Sequence, residues 1–305
     1  MSHLNSLKKQ FKYLVSYLFP FRYFNRIRIF GFDQEREIKR SVVEKLGIVF
    51  SNSEIVIPFM DLDITTFCNL KCKRCAKLTP YFNIHHHFSS DEIAKSLELM
   101  TRFVDKIYVV NIIGGEPLLN PELCTIIKIC SENKAIQHLE LTTNASLEPS
   151  DELLEIIKNC DVDVHISDYR YLSSAQQRAK EAFIQKLIDY GIRYEYQFHD
   201  IWLDFGEVEL HDYSDIELHS MYVHCPMNSC AVYNNSVLYK CGRRSYLSQH
   251  RLVADGNDCI DFSKIETREE LRERIKLFYS AKYSEACRYC LSHPTAIPAG
   301  EQMEN

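Results

Sequence analysis

From residue 54 onward the chain alternates between two hydrophobic rhythms. Short runs rich in Ile, Val and aromatic residues occur at 54–65 (EIVIPFMDLDIT), 105–113 (DKIYVVNII), 135–144, 161–169 and 192–198. Such runs read as strands. The intervening segments 89–103, 121–133, 149–160 and 173–191 carry apolar residues at helical spacing. Ser89 precedes an acidic first turn, Pro149 stands just ahead of another, and Gly191 ends the longest segment, as helix boundaries require. Strands alternating with helices predict β-α units, with a parallel sheet and helices on its outside. In such sheets the chemistry collects at the C-terminal ends of the strands. Cys68 to Cys75, Gly114 to Glu116, Thr143-Asn144 and Ser167-Asp168 all fall there.

On either side of this series the rhythm changes. The first thirty residues carry six Lys or Arg, no acid, and many aromatic residues. A stretch of this kind either lies on an anionic membrane surface or packs on its own domain with its cations in water. Residues 33–47 read as a short charged helix stopped by Gly47. After about residue 200 the pattern gives a short strand pair turning at Asn234-Asn235, polar loop, and a helix at 268–280 opened by Thr267. The expected division is a leader at 1–52, a β/α core at 53–215, a smaller C-terminal unit at 216–295 and a flexible tail at 296–305.

Composition adds one unusual number. With 305 residues, 46% hydrophobic and 26% charged, the chain matches an average globular protein, which excludes a disordered chain, a fibre and a disulfide scaffold. No apolar run approaches the roughly 18 residues of a membrane span. A net charge of −6 gives no support for nucleic-acid binding. Yet there are 12 cysteines. No export signal opens the chain, so a cytoplasmic location is expected, and there clustered cysteines point to metal or redox chemistry over disulfides. Cys124, Cys130, Cys160 and Cys259 stand alone among apolar neighbours and read as small buried hydrophobes.

The first group, Cys68-Asn-Leu-Lys-Cys72-Lys-Arg-Cys75, has the spacing C-x3-C-x2-C. Three close thiolates suit an iron–sulfur cluster with one iron left open; a zinc site and unligated thiols are the alternatives on spacing alone. With Gly114-Gly115-Glu116-Pro117 at the next strand end, the sequence resembles the radical S-adenosylmethionine (radical SAM) enzymes. The resemblance implies a partial (β/α)6 TIM-like barrel in which Cys68, Cys72 and Cys75 hold a [4Fe–4S] cluster whose open iron is chelated by SAM. It places the methionine seat at Gly114, Gly115 and Glu116, and further SAM contacts at Asn144 and Ser167. Arg74 stands where the family usually has an aromatic residue near the adenine, so adenine is expected to stack on its guanidinium. The cofactor chemistry implied is one-electron cleavage of SAM to a 5′-deoxyadenosyl radical, which removes an unactivated hydrogen.

Cys225, Cys241, Cys287 and Cys290, with Cys230 as a fifth candidate, resemble the twitch domain, a shortened SPASM domain that carries one auxiliary iron–sulfur cluster of [4Fe–4S] type. A zinc site and free thiols remain alternatives for these residues. An auxiliary cluster implies either electron acceptance from a substrate radical or substrate anchoring, as in the alcohol dehydrogenase of aminoglycoside biosynthesis. Candidate substrate residues are Arg170, His199, Asp200 and Arg243, with Asp168, Asp204 and Arg244 beside them. The expected substrate is a small carbohydrate-like metabolite, phosphorylated or nucleotide-linked forms included, as for relatives encoded with surface-polysaccharide enzymes. A flavodoxin or ferredoxin is the expected reductant. Dehydrogenation, epimerisation and peptide modification compete as outcomes, and a zinc-stabilised interaction module is the non-enzymatic alternative.

Overall fold

The computed structural model describes residues 54–81, 84–228 and 230–304. The leader at 1–52, with its membrane contact and its short helix, lies outside the described residues. The βα series runs β1 (Val56–Asp63), α1 (Ser90–Thr101), β2 (Lys106–Ile113), α2 (Leu123–Glu132), β3 (Leu139–Thr143), α3 (Asp151–Asn159), β4 (Asp163–Tyr169), α4 (Ser174–Tyr190) and β5 (Tyr194–His199). It continues with β6 (Ile201–Leu203), α5 (Asp215–His224), β7 (Val232–Asn234), β8 (Val237–Tyr239), α6 (Gly242–Gln249), β9 (Cys259–Asp261), α7 (Arg268–Ser280) and β10 (Ala296–Pro298).

The helices form where caps and periodicity agree. Ser89 and Glu92 close a reciprocal capping box on α1, and Ser173 and Gln176 close one on α4. Helix α1 then buries Ile93, Ser96, Leu97 and Met100, the 3–4 spacing of one face. Helix α4 ends at Gly191, whose φ of 67° favours glycine.

Strands β1 to β5 are parallel neighbours in the order 5-4-3-2-1. The expected α/β fold with its parallel sheet is therefore present. The sixth parallel strand is β7, which pairs with β1 on its free side and brings antiparallel β8 and β9 behind it. The C-terminal unit thus continues the same sheet. Its Tyr233, Leu238, Ile260, Phe262 and Phe278 share one core with Met60, Leu62, Val110, Ile112, Leu141 and Val164. A smaller cluster of Tyr246, Leu247, Ala286 and Tyr289 packs on Leu78.

Residues 296–304 differ from the flexible tail that was expected. Strand β10 pairs antiparallel with β6, and residues beyond it bond to the loop that follows β1. The polar composition of this segment hid its pairing, because its partners lie far away in sequence. Among the described residues no helix is long and apolar enough to cross a membrane.

Candidate active site

The loop after β1 carries Cys68, Cys72 and Cys75; Cys72 is buried and the other two are half-buried. They pack with Leu70, Leu172, Tyr169 and Trp202. The Gly114–Glu116 turn at the end of β2 fastens this loop. The Gly115 N–H donates to Thr65 O at 2.9 Å and the Glu116 N–H to Phe67 O at 2.8 Å. A Cβ on Gly114 would run into the Thr65 carbonyl oxygen, and one on Gly115 into that of Phe67. Both glycines are thus demanded by backbone approach to the cysteine loop, whatever else they touch. The histidines at 85–87 serve the same loop: His87 Nδ1 is 2.8 Å from the Thr65 hydroxyl, and its ring stacks on Phe67 at 4.3 Å.

Burial pushes the Cys72 thiol up to about 12, and it raises that of Cys68 as well. Two thiols raised in this way ionise more readily opposite a cationic group, which an iron cluster supplies. Among the described residues no three Cys, His, Asp or Glu side chains close on a single metal ion.

Glu116 is buried, and burial lifts its carboxyl to about 6 against three hydrogen bonds. It accepts from the Thr143 hydroxyl at 2.7 Å, the Asn144 N–H at 2.8 Å and the Leu118 N–H at 3.1 Å. A carboxylate has about four acceptor positions, so one remains for a ligand ammonium. Asn144 is tied to the cysteine loop: its Nδ2 donates to Asn69 Oδ1 at 3.0 Å, and its Oδ1 accepts the Ser146 N–H at 2.9 Å. Ser167 lies on β4 within hydrogen-bonding reach of Tyr169. Arg74 is held in place by acids. Its guanidinium edge is ion-paired with Asp204 at 3.2 Å and with Glu207, which ties it to the loop after β6 and leaves only its planar face for stacking.

Register puts a polar layer on the sheet face opposite the helices. Asp61 aligns with Asn111 and Asn111 with Glu140; Thr142 aligns with His165, His165 with Glu195, Ser167 with Gln197, and Tyr169 with His199. Asn111 Nδ2 donates to Asp61 Oδ1 at 2.7 Å, and the Thr142 hydroxyl donates to Asn111 Oδ1 at 2.8 Å. His165 lies 3.5 Å from Glu140 and 3.8 Å from Glu195. Half-buried Lys77 pairs with buried Asp63. This layer was legible in part: two acids at alternate positions of an otherwise apolar strand, Asp61 and Asp63, mark a polar face.

Asp61 gives this layer a pH signature. Burial, aided by the charges of Asp63 and Glu140 and opposed by Lys77 and Asn111, lifts its carboxyl to about 6. A carboxyl raised on folding supports the fold fully below its unfolded pKa near 4, and that support is lost as pH rises through about 6. Between pH 5 and pH 8 the loss at this site is about 1–2 kcal/mol. Asp61→Asn is expected to flatten the fall in melting temperature over that interval. Thermal melts of the two proteins at matched pH check this, and an unchanged slope refutes it.

The four substrate candidates separate. His199, at the end of β5, is half-buried and stacks on Tyr169 at 5.7 Å, and burial lowers its pKa. It is the one that reaches the cysteine loop's surroundings. Arg170 and Asp200 form an exposed ion pair with each other. Asp168 points to the helix layer, paired with Lys180 and bonded by the Tyr196 hydroxyl. Arg243 is buried and gives its donors to the main-chain oxygens of Gly206 (3.1 Å), Glu207 (2.6 Å) and Tyr289 (2.7 Å). It therefore clamps these loops through its terminal nitrogens, while its buried Nε has no partner among the described residues and the residue lines the cavity described below. Arg244 is wholly buried against Asp258 at 2.8 Å.

The later cysteines converge. Cys225, Cys241, Cys287 and Cys290 line one cavity of about 40 Å³ together with Ala76, Tyr222, Gly242 and Arg243. Cys230 is buried and does not line it. Cys241 caps α6, accepting the Arg244 N–H at 3.4 Å, where a thiolate is favoured. Burial nonetheless holds its thiol at about 11, so this site too suits a cationic occupant.

Residues 62–168 match the family model of the Radical SAM superfamily, and the chain carries a radical SAM domain. That domain's family implies a [4Fe–4S] cluster and SAM. Among curated proteins it is similar to GTP 3′,8-cyclase of Campylobacter lari, 35% identical over 97 residues, or 30% of this chain and 29% of that one. The enzyme of the same name from Limosilactobacillus fermentum is 31% identical over 99 residues, 32% of this chain and 29% of that one. The chain thus matches about three-tenths of the length of these relatives. Among solved structures it bears a remote likeness to BtrN in complex with AdoMet and 2-DOIA (TM-score 0.44, 12% identity, 79% of this chain and 100% of that one). Streptococcus suis SuiB bound to S-adenosylmethionine is similarly remote (TM-score 0.38, 16% identity, 68% and 48%).

Proposed function

We propose that the chain is a radical SAM enzyme that removes hydrogen from a carbohydrate-like metabolite and oxidises it. In this reading Cys68, Cys72 and Cys75 hold the SAM cluster, while Cys225, Cys241, Cys287 and Cys290 hold a second cluster that takes the substrate's electron. The observation that carries the reading is the convergence of those four cysteines on one cavity whose wall includes Ala76, the residue after Cys75. An electron acceptor there would stand next to the site where the substrate is activated. When bound, the first cluster and SAM supply a radical able to attack an unactivated C–H bond.

The chain's own residues bind and orient. Glu116 keeps one acceptor position for the SAM ammonium, a charge-assisted bond strengthened by burial. His165, Gln197 and His199, on the same sheet face, offer hydroxyl-recognising groups of the kind a polyol needs. The domain division follows: a radical SAM core at 53–215 and an auxiliary-cluster unit at 216–295, reduced by a flavodoxin or ferredoxin. The activity for which the relatives are named suggests a second candidate substrate, GTP. A triphosphate calls for clustered cations, and the strand face opposite the helices offers Asp61, Glu140 and Glu195 instead, with Lys77 already paired to Asp63.

The test is incubation of the reconstituted protein with SAM, dithionite and candidate sugars, aminocyclitols or GTP, followed by mass analysis. Loss of two mass units from a polyol is the expected result. Deuterium uptake at unchanged light-isotope mass would make the enzyme an epimerase, and turnover of GTP alone would overturn the carbohydrate reading.

A further inference from the structure

Residues 299–303 lie along the cysteine loop and bond to it on both sides of Cys72. The Met303 N–H donates to Lys71 O at 2.7 Å, and the Lys73 N–H donates to Glu301 O at 2.6 Å. Between them Cys72 and Gln302 face each other as an antiparallel bridge. The Gln302 side chain folds back over this bridge. Its Oε1 accepts the Lys71 N–H at 2.7 Å. Its Nε2 donates to Cys72 Sγ at 3.2 Å and to Gly300 O at 2.6 Å. The three partners dictate the amide's orientation: flipped, it would set Nε2 against an N–H, and Oε1 against a carbonyl oxygen and a sulfur.

The strap is anchored at further points. Strand β10 holds it to β6, and the Lys73 ammonium meets the Glu301 carboxylate at 2.8 Å. Gly300, at φ 72°, lies so close over Tyr169 that a Cβ would come within 2.6 Å of the tyrosine Cβ. The amide is therefore delivered to the sulfur by a segment with several independent attachments.

We infer that Gln302 is a positioning residue that sets the reduction potential of the cluster held at Cys72, an inference that rests on the cysteine assignment proposed above. A hydrogen bond to a ligating sulfur stabilises the extra negative charge of the reduced cluster and so raises its potential. Cys72 is 7% exposed, so water is a poor substitute for the lost donor. Reduction of the cluster precedes SAM cleavage, and Gln302 thereby governs how readily a given reductant primes the enzyme.

The test is a redox titration of the reconstituted full chain followed by electron paramagnetic resonance, reading the reduced-cluster signal that changes when SAM is added. Gln302→Glu keeps the acceptor for Lys71 and loses the donor to sulfur; Gln302→Leu loses both. Glu301→Ala releases the Lys73 ion pair and leaves the sulfur contact in place. Both Gln302 variants are expected to hold wild-type iron and to show a lower midpoint potential, the glutamate variant lowest, while Glu301→Ala keeps the wild-type midpoint. If the charged variant loses iron, the neutral leucine variant carries the comparison. Equal midpoints in wild type and Gln302→Leu overturn the role of Gln302 while leaving the cluster assignment standing. A wild-type chain with iron but no SAM-responsive signal overturns the cysteine assignment and the inference with it.

Discussion

Replacing Cys68, Cys72 and Cys75 together with alanine is expected to abolish SAM cleavage and remove about four of about eight bound irons. The three residues share one loop, and no fourth cysteine joins them in their packing cluster. Deleting them leaves nothing to hold the first cluster. The second group lines its own cavity on other elements, so it should keep its iron. Chromatographic measurement of 5′-deoxyadenosine, with iron and sulfide analysis after anaerobic reconstitution, checks both halves. Undiminished 5′-deoxyadenosine production in the triple variant would refute the assignment. The complementary variant, with Cys225, Cys287 and Cys290 replaced, should still cleave SAM but fail to turn over substrate. That contrast separates the roles of the two groups.

The second large effect is expected from a single methyl group. Gly115→Ala places a Cβ into the Phe67 carbonyl and 3.0 Å from Cys68 Cβ. Neither neighbour is the end of a flexible side chain, so the cysteine loop must move. Overpacking of this kind costs about 1–3 kcal/mol. Displacement of the loop also weakens the Gly115–Thr65 and Glu116–Phe67 bonds, at about 1 kcal/mol each. We expect a destabilisation of about 3–5 kcal/mol and loss of SAM cleavage on the order of 100-fold or more. Denaturant titration and 5′-deoxyadenosine assays measure the two effects. Gly191→Ala is the control. Its Cβ would meet nothing within 4 Å, so only the φ of 67° opposes it, a cost of about 1 kcal/mol, and SAM cleavage should persist. Equal losses in both variants would mean that the Gly115 contact is not special.

The βα series was legible because its signals are local. Ser89 with Glu92, Ser173 with Gln176, and Gly191 each act within a few residues of the helix end they define. Helix α5 carries the same kind of signal, a capping box of Ser214 and Glu217. It was missed because α5 buries only Leu218 and shows no apolar stripe. Helix α6 opens on Cys241 and is filled with polar residues that the fold happens to bury, Arg243, Arg244 and Ser245 among them. The arginine pair was misread for the same reason. Two adjacent arginines look solvated or anion-binding in sequence, and only the positions of Asp258 and three carbonyl oxygens turn them inward.

By itself, then, the sequence determined the alternation of strands and helices, the parallel sheet, and the spacing of Cys68, Cys72 and Cys75 at a strand end. These follow from periodicity, caps and motif spacing, all of which operate within a few turns of chain. The tertiary structure decided what those residues meet. It placed β7 beside β1, separated Cys230 from the four cysteines that share a cavity, committed Arg74 to Asp204 and Glu207, and laid Gln302 on Cys72 from 230 residues away. A hydrogen bond between residues so distant has no local signature, because its geometry exists only once the intervening chain has packed.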